Sequence, residues 1–274
     1  MHPFYPLSAS DCLRLTEMFI AIQAIIGSLE SLYNHKLYSP SNLLDWAFIK
    51  RYRAVFTATR FWEKGFDGLF AYPRVLLLFG LRLVLAGWLL YAGFAGRPHA
   101  IVVLLLCATG LLASMRNAYS ENGSDQLANI VLVVLSIDIL CGDAGFARAL
   151  SIFFIAFQAG LAYFTAGFLK VTNTRWRDGN HLQAIMSTGF FGNRSLKTAL
   201  DGMPYSYPAL SVVLIGWEMT MGASMFLPPP VCLAILAGGV LFHLGVAVVM
   251  GFNTFFWAFL STYPAIYFVA CKLH

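Results

Sequence analysis

The chain has 274 residues, of which 59% are hydrophobic, 15% aromatic and only 11% charged, where a soluble domain carries roughly a quarter charged residues. So few charges cannot cover a water-soluble surface, and a net charge of +5 is too small to suggest a nucleic-acid partner. The five cysteines, Cys12, Cys107, Cys141, Cys232 and Cys271, are scattered without CxxC or zinc spacing. They read as small apolar residues, not as a disulfide framework or a metal site.

No Lys or Arg precedes Arg14, and the first apolar stretch carries Arg14, Glu17 and Glu30, so a cleaved signal peptide is not expected. That stretch, Leu13 to Tyr33, crosses a membrane only if its charges face the interior of a bundle. A surface helix is the alternative. From Leu44 the pattern changes: Leu44, Phe48, Tyr52, Val55, Phe56, Thr59 and Trp62 fall on one helical face, with Lys50, Arg53, Arg60 and Lys64 opposite. This spacing predicts a basic amphipathic helix lying among the headgroups, where aromatic residues gather.

Apolar runs of membrane-spanning length follow near 73–95, 99–118, 126–141, 148–170, 208–227, 230–250 and 254–271, since a helix needs roughly 20 residues to cross the hydrocarbon core. None alternates polar with apolar residues, so helices are expected over a barrel. Pro228, Pro229 and Pro230 end one run. The last two runs are separated by Gly251, Phe252 and Asn253 alone, which predicts a tight antiparallel hairpin. The expected fold is an all-α polytopic membrane bundle of about eight transmembrane helices plus one interfacial helix, a single transmembrane domain over 1–274 in contact with the lipid bilayer.

Lys36, Lys50, Arg51, Arg53, Arg60, Lys64 and Arg74 lie between the first two runs, and Lys170, Arg175, Arg177, Arg194 and Lys197 follow the fifth. An even number of spans separates the two groups. Both are therefore expected on one face, cytoplasmic by the distribution of positive charge in membrane proteins.

The chemistry gathers in Tyr163-Phe164-Thr165-Ala166-Gly167-Phe168-Leu169-Lys170, followed by Trp176-Arg177-Asp178-Gly179. On a helix Gly160, Tyr163, Gly167 and Lys170 share one face, setting close-packing glycines, a phenol and an amine in line. A partly desolvated amine serves as a general base; a lysine snorkelling to the interface is the alternative. Trp176, Asp178, Asn180 and His181 form a polar, aromatic cluster that either caps a site at the membrane surface or anchors the interface. Arg82 and Glu218 fall in the middle of apolar runs and are expected to face inward and pair, as a structural ion pair or as substrate contacts. His243 reads as a satisfied core histidine or a ligand contact, and Asp138 is expected to reach water.

The aromatic-Phe-x-Ala-Gly-x-x-Lys pattern ending at Lys170, with Trp176 and Gly179 beyond it, resembles the horizontally transferred transmembrane (HTTM) domain family, which includes the vitamin K-dependent gamma-carboxylase. The likeness extends to Arg82 in Phe79-Gly80-Leu81-Arg82, Glu218 in Trp217-Glu218, and Phe242-His243-Leu244-Gly245. In the carboxylase the lysine matching Lys170 deprotonates vitamin K hydroquinone. The resemblance therefore implies a quinol such as reduced vitamin K, a peptide or lipid-soluble substrate, Lys170 as catalytic base, and a cavity with Tyr163, Arg82, Glu218, His243, Trp176, His181 and Asp125. Two departures bear on carboxylation. Gly123-Ser124-Asp125-Gln126 stands where the carboxylase has a functional histidine, and no counterpart of its extramembrane substrate-holding region is present. The family's orientation also puts the active side away from the cytoplasm, opposite to the charge count. Beside a carboxylase-like enzyme of the cell membrane stands a non-catalytic membrane partner for maturation, export or immunity of a secreted peptide. A transporter is disfavoured, because no inverted repeat or broken helix pair is evident.

Overall fold

Helices make up all the regular structure that the computed structural model describes, which covers residues 7–52, 59–97, 99–117, 122–142, 145–189 and 191–274, with no strand among them. Seven helices are long and apolar enough to cross a membrane, and Ala100–Arg116 is a shorter apolar helix. With it, the apolar helical segments among the described residues number eight, matching the number of spans expected.

The chain divides into two compact units, Glu17–Asp143 and a second made of Met1–Thr16 with Ala144–His274. In the first lie most of α1 (Ala9–Tyr33), then α2 (Trp46–Ile49), α3 (Arg60–Phe70), α4 (Val75–Ala95), α5 (Ala100–Arg116) and α6 (Gly123–Leu140). Asn122 and Asp125 start α6 with a reciprocal capping box, which satisfies its first free N–H groups. Gly96, left-handed at φ 61°, ends α4.

The segment before α4 departs from the expected single amphipathic helix. Trp46–Ile49 runs into a 3-10 turn over Lys50–Tyr52, and α3 begins at Arg60, capped by Thr59; Arg53, Val55 and Phe56 lie outside the described residues. Tertiary partners explain the difference. Lys50 turns inward to Glu63 at 3.1 Å and Asp67 at 3.2 Å, and the Trp46 indole donates to Asp67. Phe66 and Phe70 stack on that same side of α3, and Phe70 meets Trp46 edge-on.

Arg116, which the sequence pattern hides inside an apolar run, is fully buried at the end of α5. Its guanidinium donates to the carbonyls of Leu44 at 2.6 Å and Phe70 at 3.0 Å, with the rings of Tyr38 and Trp46 against it at 5.1 and 5.6 Å. One cation thus ties the loop after α1 to the end of α3.

The second unit contains α7 (Gly145–Thr172), α8 (Thr174–Arg177), α9 (Asn180–Met186), α10 (Arg194–Asp201), α11 (Ser206–Ala223), α12 (Pro229–Met250), α13 (Asn253–Leu260) and α14 (Tyr263–Leu273). Pro229 opens α12 at its first turn, where a missing N–H costs nothing. Gly251, at φ 78°, turns the chain into α13. The hairpin is antiparallel: His243 of α12 faces Phe255 and Phe259 of α13, while Gly239, a turn earlier, faces Tyr263.

The final run was expected to be one span and is broken into α13 and α14. Pro264 cannot donate at the start of α14, and the hydroxyls of Ser261 and Thr262 bond back to the carbonyls of Ala258 and Phe259, each at 2.7 Å. The whole segment Asn253–Leu273 still covers 21 residues, enough to cross.

Candidate functional site

The site is built where α7 packs on α11. A Cβ added at Gly160 would lie 3.0 Å from the Gly222 carbonyl oxygen, and one at Gly222 would lie 3.0 Å from the Phe164 amide nitrogen. At Gly167 it would meet the Met219 sulfur at 2.9 Å. As α7 ascends from Gly160 to Gly167, α11 descends from Gly222 to Met219, so the helices are antiparallel and nearly in backbone contact. One turn further along α7 comes Lys170, and Glu218 faces it.

The Lys170 amine donates to both oxygens of Glu218, each at 2.8 Å, and more weakly to the Ala166 carbonyl at 3.5 Å. The two side chains are 18% and 11% exposed, so water screens the pair little. This overturns two expectations. Glu218 pairs with Lys170 and not with Arg82, and the amine has a firm carboxylate partner. The reason lies in geometry: the glycine seam puts the two charges opposite one another, where either alone would be a costly lone ion.

Trp176, on α8, brings its ring to 5.2 Å from the Lys170 nitrogen, and His181 of α9 lies 5.6 Å from Trp176, ring to ring. Asn173 starts α8 by accepting from the Arg175 amide at 3.0 Å, and its own amide sits 3.5 Å from His181 Nε2. Lys170, Glu218, Trp176 and His181 therefore converge. Asp178 and Asn180 are exposed beside them.

Tyr163 lies two turns before Lys170 on the same face of α7 and belongs to a separate buried group. Its hydroxyl shares hydrogen bonds with His243 Nε2 at 2.5 Å and the Tyr263 hydroxyl at 3.1 Å. The imidazole stacks on Phe259 at 4.8 Å. His243 is only half satisfied, because Nδ1 has no hydrogen-bond partner among the described residues. Tyr263 was not anticipated: nothing in its local sequence marks it, and it reaches the group through the α12–α14 fold.

Arg82 and Asp125 belong to the other unit. Arg82 is 8% exposed and donates to the Leu106 carbonyl at 3.4 Å beside Gly110, where an added Cβ would meet its Nη1 at 2.6 Å. Asp125 caps α6 and accepts from the Gln23 amide at 3.5 Å. Asp138 is 6% exposed within α6 and does not face water as expected. The unanticipated pair in this unit is Glu17 with His99, 2.7 Å apart.

Comparison with protein-family models, with curated proteins and with solved structures finds no match for this chain.

Proposed function

We propose that this chain is a multi-pass cell-membrane protein of the HTTM type that acts as a non-catalytic partner of a secreted peptide, binding or escorting it at the bilayer surface. The observation that carries this reading is the Lys170–Glu218 pair, in which one amine donates to both carboxylate oxygens at 2.8 Å. An amine that abstracts a proton needs a free lone pair. The protons of Lys170 are instead held where they clamp α7 to α11. A quinol such as reduced vitamin K does not fit this arrangement as a substrate for a lysine base.

A carboxylase-like enzyme is the second reading, favoured by Trp176 beside the same amine, with His181 against the Trp176 ring. It requires the pair to part during a reaction. Reversing the pair separates the two readings. Lys170→Glu and Glu218→Lys alone each place like charges together and should lower the melting temperature sharply, the loss being about 3 kcal/mol. The double reversal restores opposite charges and should recover most of that stability together with association with the peptide. Lysine-based catalysis is supported instead if the double variant is stable yet has lost an activity of the wild type.

A further inference from the structure

We propose that α3 and the entry to α4 form a binding surface for anionic phospholipid headgroups. Both acidic residues of α3, Glu63 and Asp67, pair with Lys50 at 3.1 and 3.2 Å, one cation shared between two carboxylates. Asp67 also accepts the Trp46 indole proton. The two carboxylates are thus tied to the segment before α3, on the side where Phe66 and Phe70 stack.

Beside the two carboxylates, α3 carries exposed cations and aromatic rings. Arg60 and Lys64, one helical turn apart, are exposed and have no ionic partner among the described residues. Phe61 is 78% exposed and Trp62 53%. No heavy atom of the described residues lies within 4 Å of a Cβ added at Gly65 or Gly68, so the helix is open at these two positions. Arg74, four residues after α3 ends, spends its guanidinium on a neutral acceptor, the Asp67 carbonyl at 3.1 Å, and keeps its full charge.

The bilayer is the occupant because the surface is continuous with a span. Val75 follows Arg74 directly and begins α4, whose Leu77, Leu81 and Val84 are exposed apolar residues on a membrane-crossing helix. A helix placed there lies at headgroup depth. Large aromatics beside cations suit that depth, where rings enter the acyl boundary and ammonium or guanidinium groups meet phosphate. Uncompensated positive charge selects anionic over zwitterionic lipid.

The test uses the full chain in nanodiscs holding phosphatidylglycerol and phosphatidylcholine in equal amounts, with retained lipid counted by native mass spectrometry. Each basic residue close to an anionic surface contributes a preference of about fivefold. Wild type should therefore retain phosphatidylglycerol preferentially, and Arg60→Gln with Lys64→Gln should lower that preference roughly tenfold or more. Because both side chains are exposed, the melting temperature of this variant should be unchanged, which separates lost binding from lost folding. Arg175→Gln with Arg177→Gln removes two exposed cations elsewhere and should leave the preference in place. Equal retention of the two lipids by wild type would overturn the proposal. So would an unaltered preference in the Arg60/Lys64 variant, or an equal loss in the Arg175/Arg177 variant.

Discussion

Lys170 is the residue whose surroundings decide the functional reading, and its partner was not legible in the sequence. Helical spacing puts Gly160, Tyr163, Gly167 and Lys170 on one face, and that face packs as the spacing implies. The sequence leaves open which carboxylate meets the amine, because Glu218 is 48 residues away and reaches it only through the pairing of α7 with α11. Arg82 was the plausible rival on chemistry alone, being another lone cation in an apolar run. His99 illustrates the same limit, with its partner Glu17 82 residues distant. The hydrogen bond that His99 donates to the Glu17 carboxylate raises its pKa to about 9. A folded-state value above the unfolded one means stability that is fully present below about pH 6.5 and is lost as pH rises through about 9. The melting temperature in detergent should accordingly fall between pH 7 and 10, and Glu17→Gln should remove most of that slope. An unchanged slope in Glu17→Gln would assign the pH dependence to other groups.

Among the elements, the long apolar helices were legible because lipid leaves the backbone one local solution, and hydropathy over about 20 residues reports it. Boundaries fell within a few residues where a capping group or glycine sets them, as at Asn122 and Gly251. What misled the pattern was tertiary chemistry. Lys50 looked like part of an outward basic stripe because only the folded chain brings it to Glu63 and Asp67. The break before α14 was marked by Pro264, but the hydroxyls that make it tolerable bond to their own helix and leave no periodic signal. The α7–α11 seam offers an element-level test. Gly222→Val puts carbon where the Phe164 backbone already lies, 3.0 Å from its nitrogen, and neither helix has a flexible atom there to yield. The expected cost is about 1–3 kcal/mol, read as a lower melting temperature and weaker Lys170–Glu218 pairing. Gly216→Ala, on the same helix but with nothing within 4 Å, should be tolerated. Equal losses from the two substitutions would mean that close approach is not what holds the seam.

For the whole molecule, the all-helical polytopic architecture follows from composition, while the use of the scaffold depends on a few contacts. Four helices, α4 to α7, separate the basic segment around Lys64 from the one around Arg194. If each crosses, including the shorter α5, both segments face the same side. Single cysteines at these two exposed positions should then label from one side only, and labelling from opposite sides would remove α5 from the set of spans. The proposed role as a partner protein, and not as a lysine-based enzyme, rests on the paired Lys170. Its most direct test is quinol consumption by the purified full chain in nanodiscs supplied with reduced vitamin K, oxygen and carbon dioxide, comparing wild type with Lys170→Ala. Wild type and Lys170→Ala should show equal background oxidation. Quinol consumption by wild type that disappears in Lys170→Ala, with the variant still folded, would contradict it.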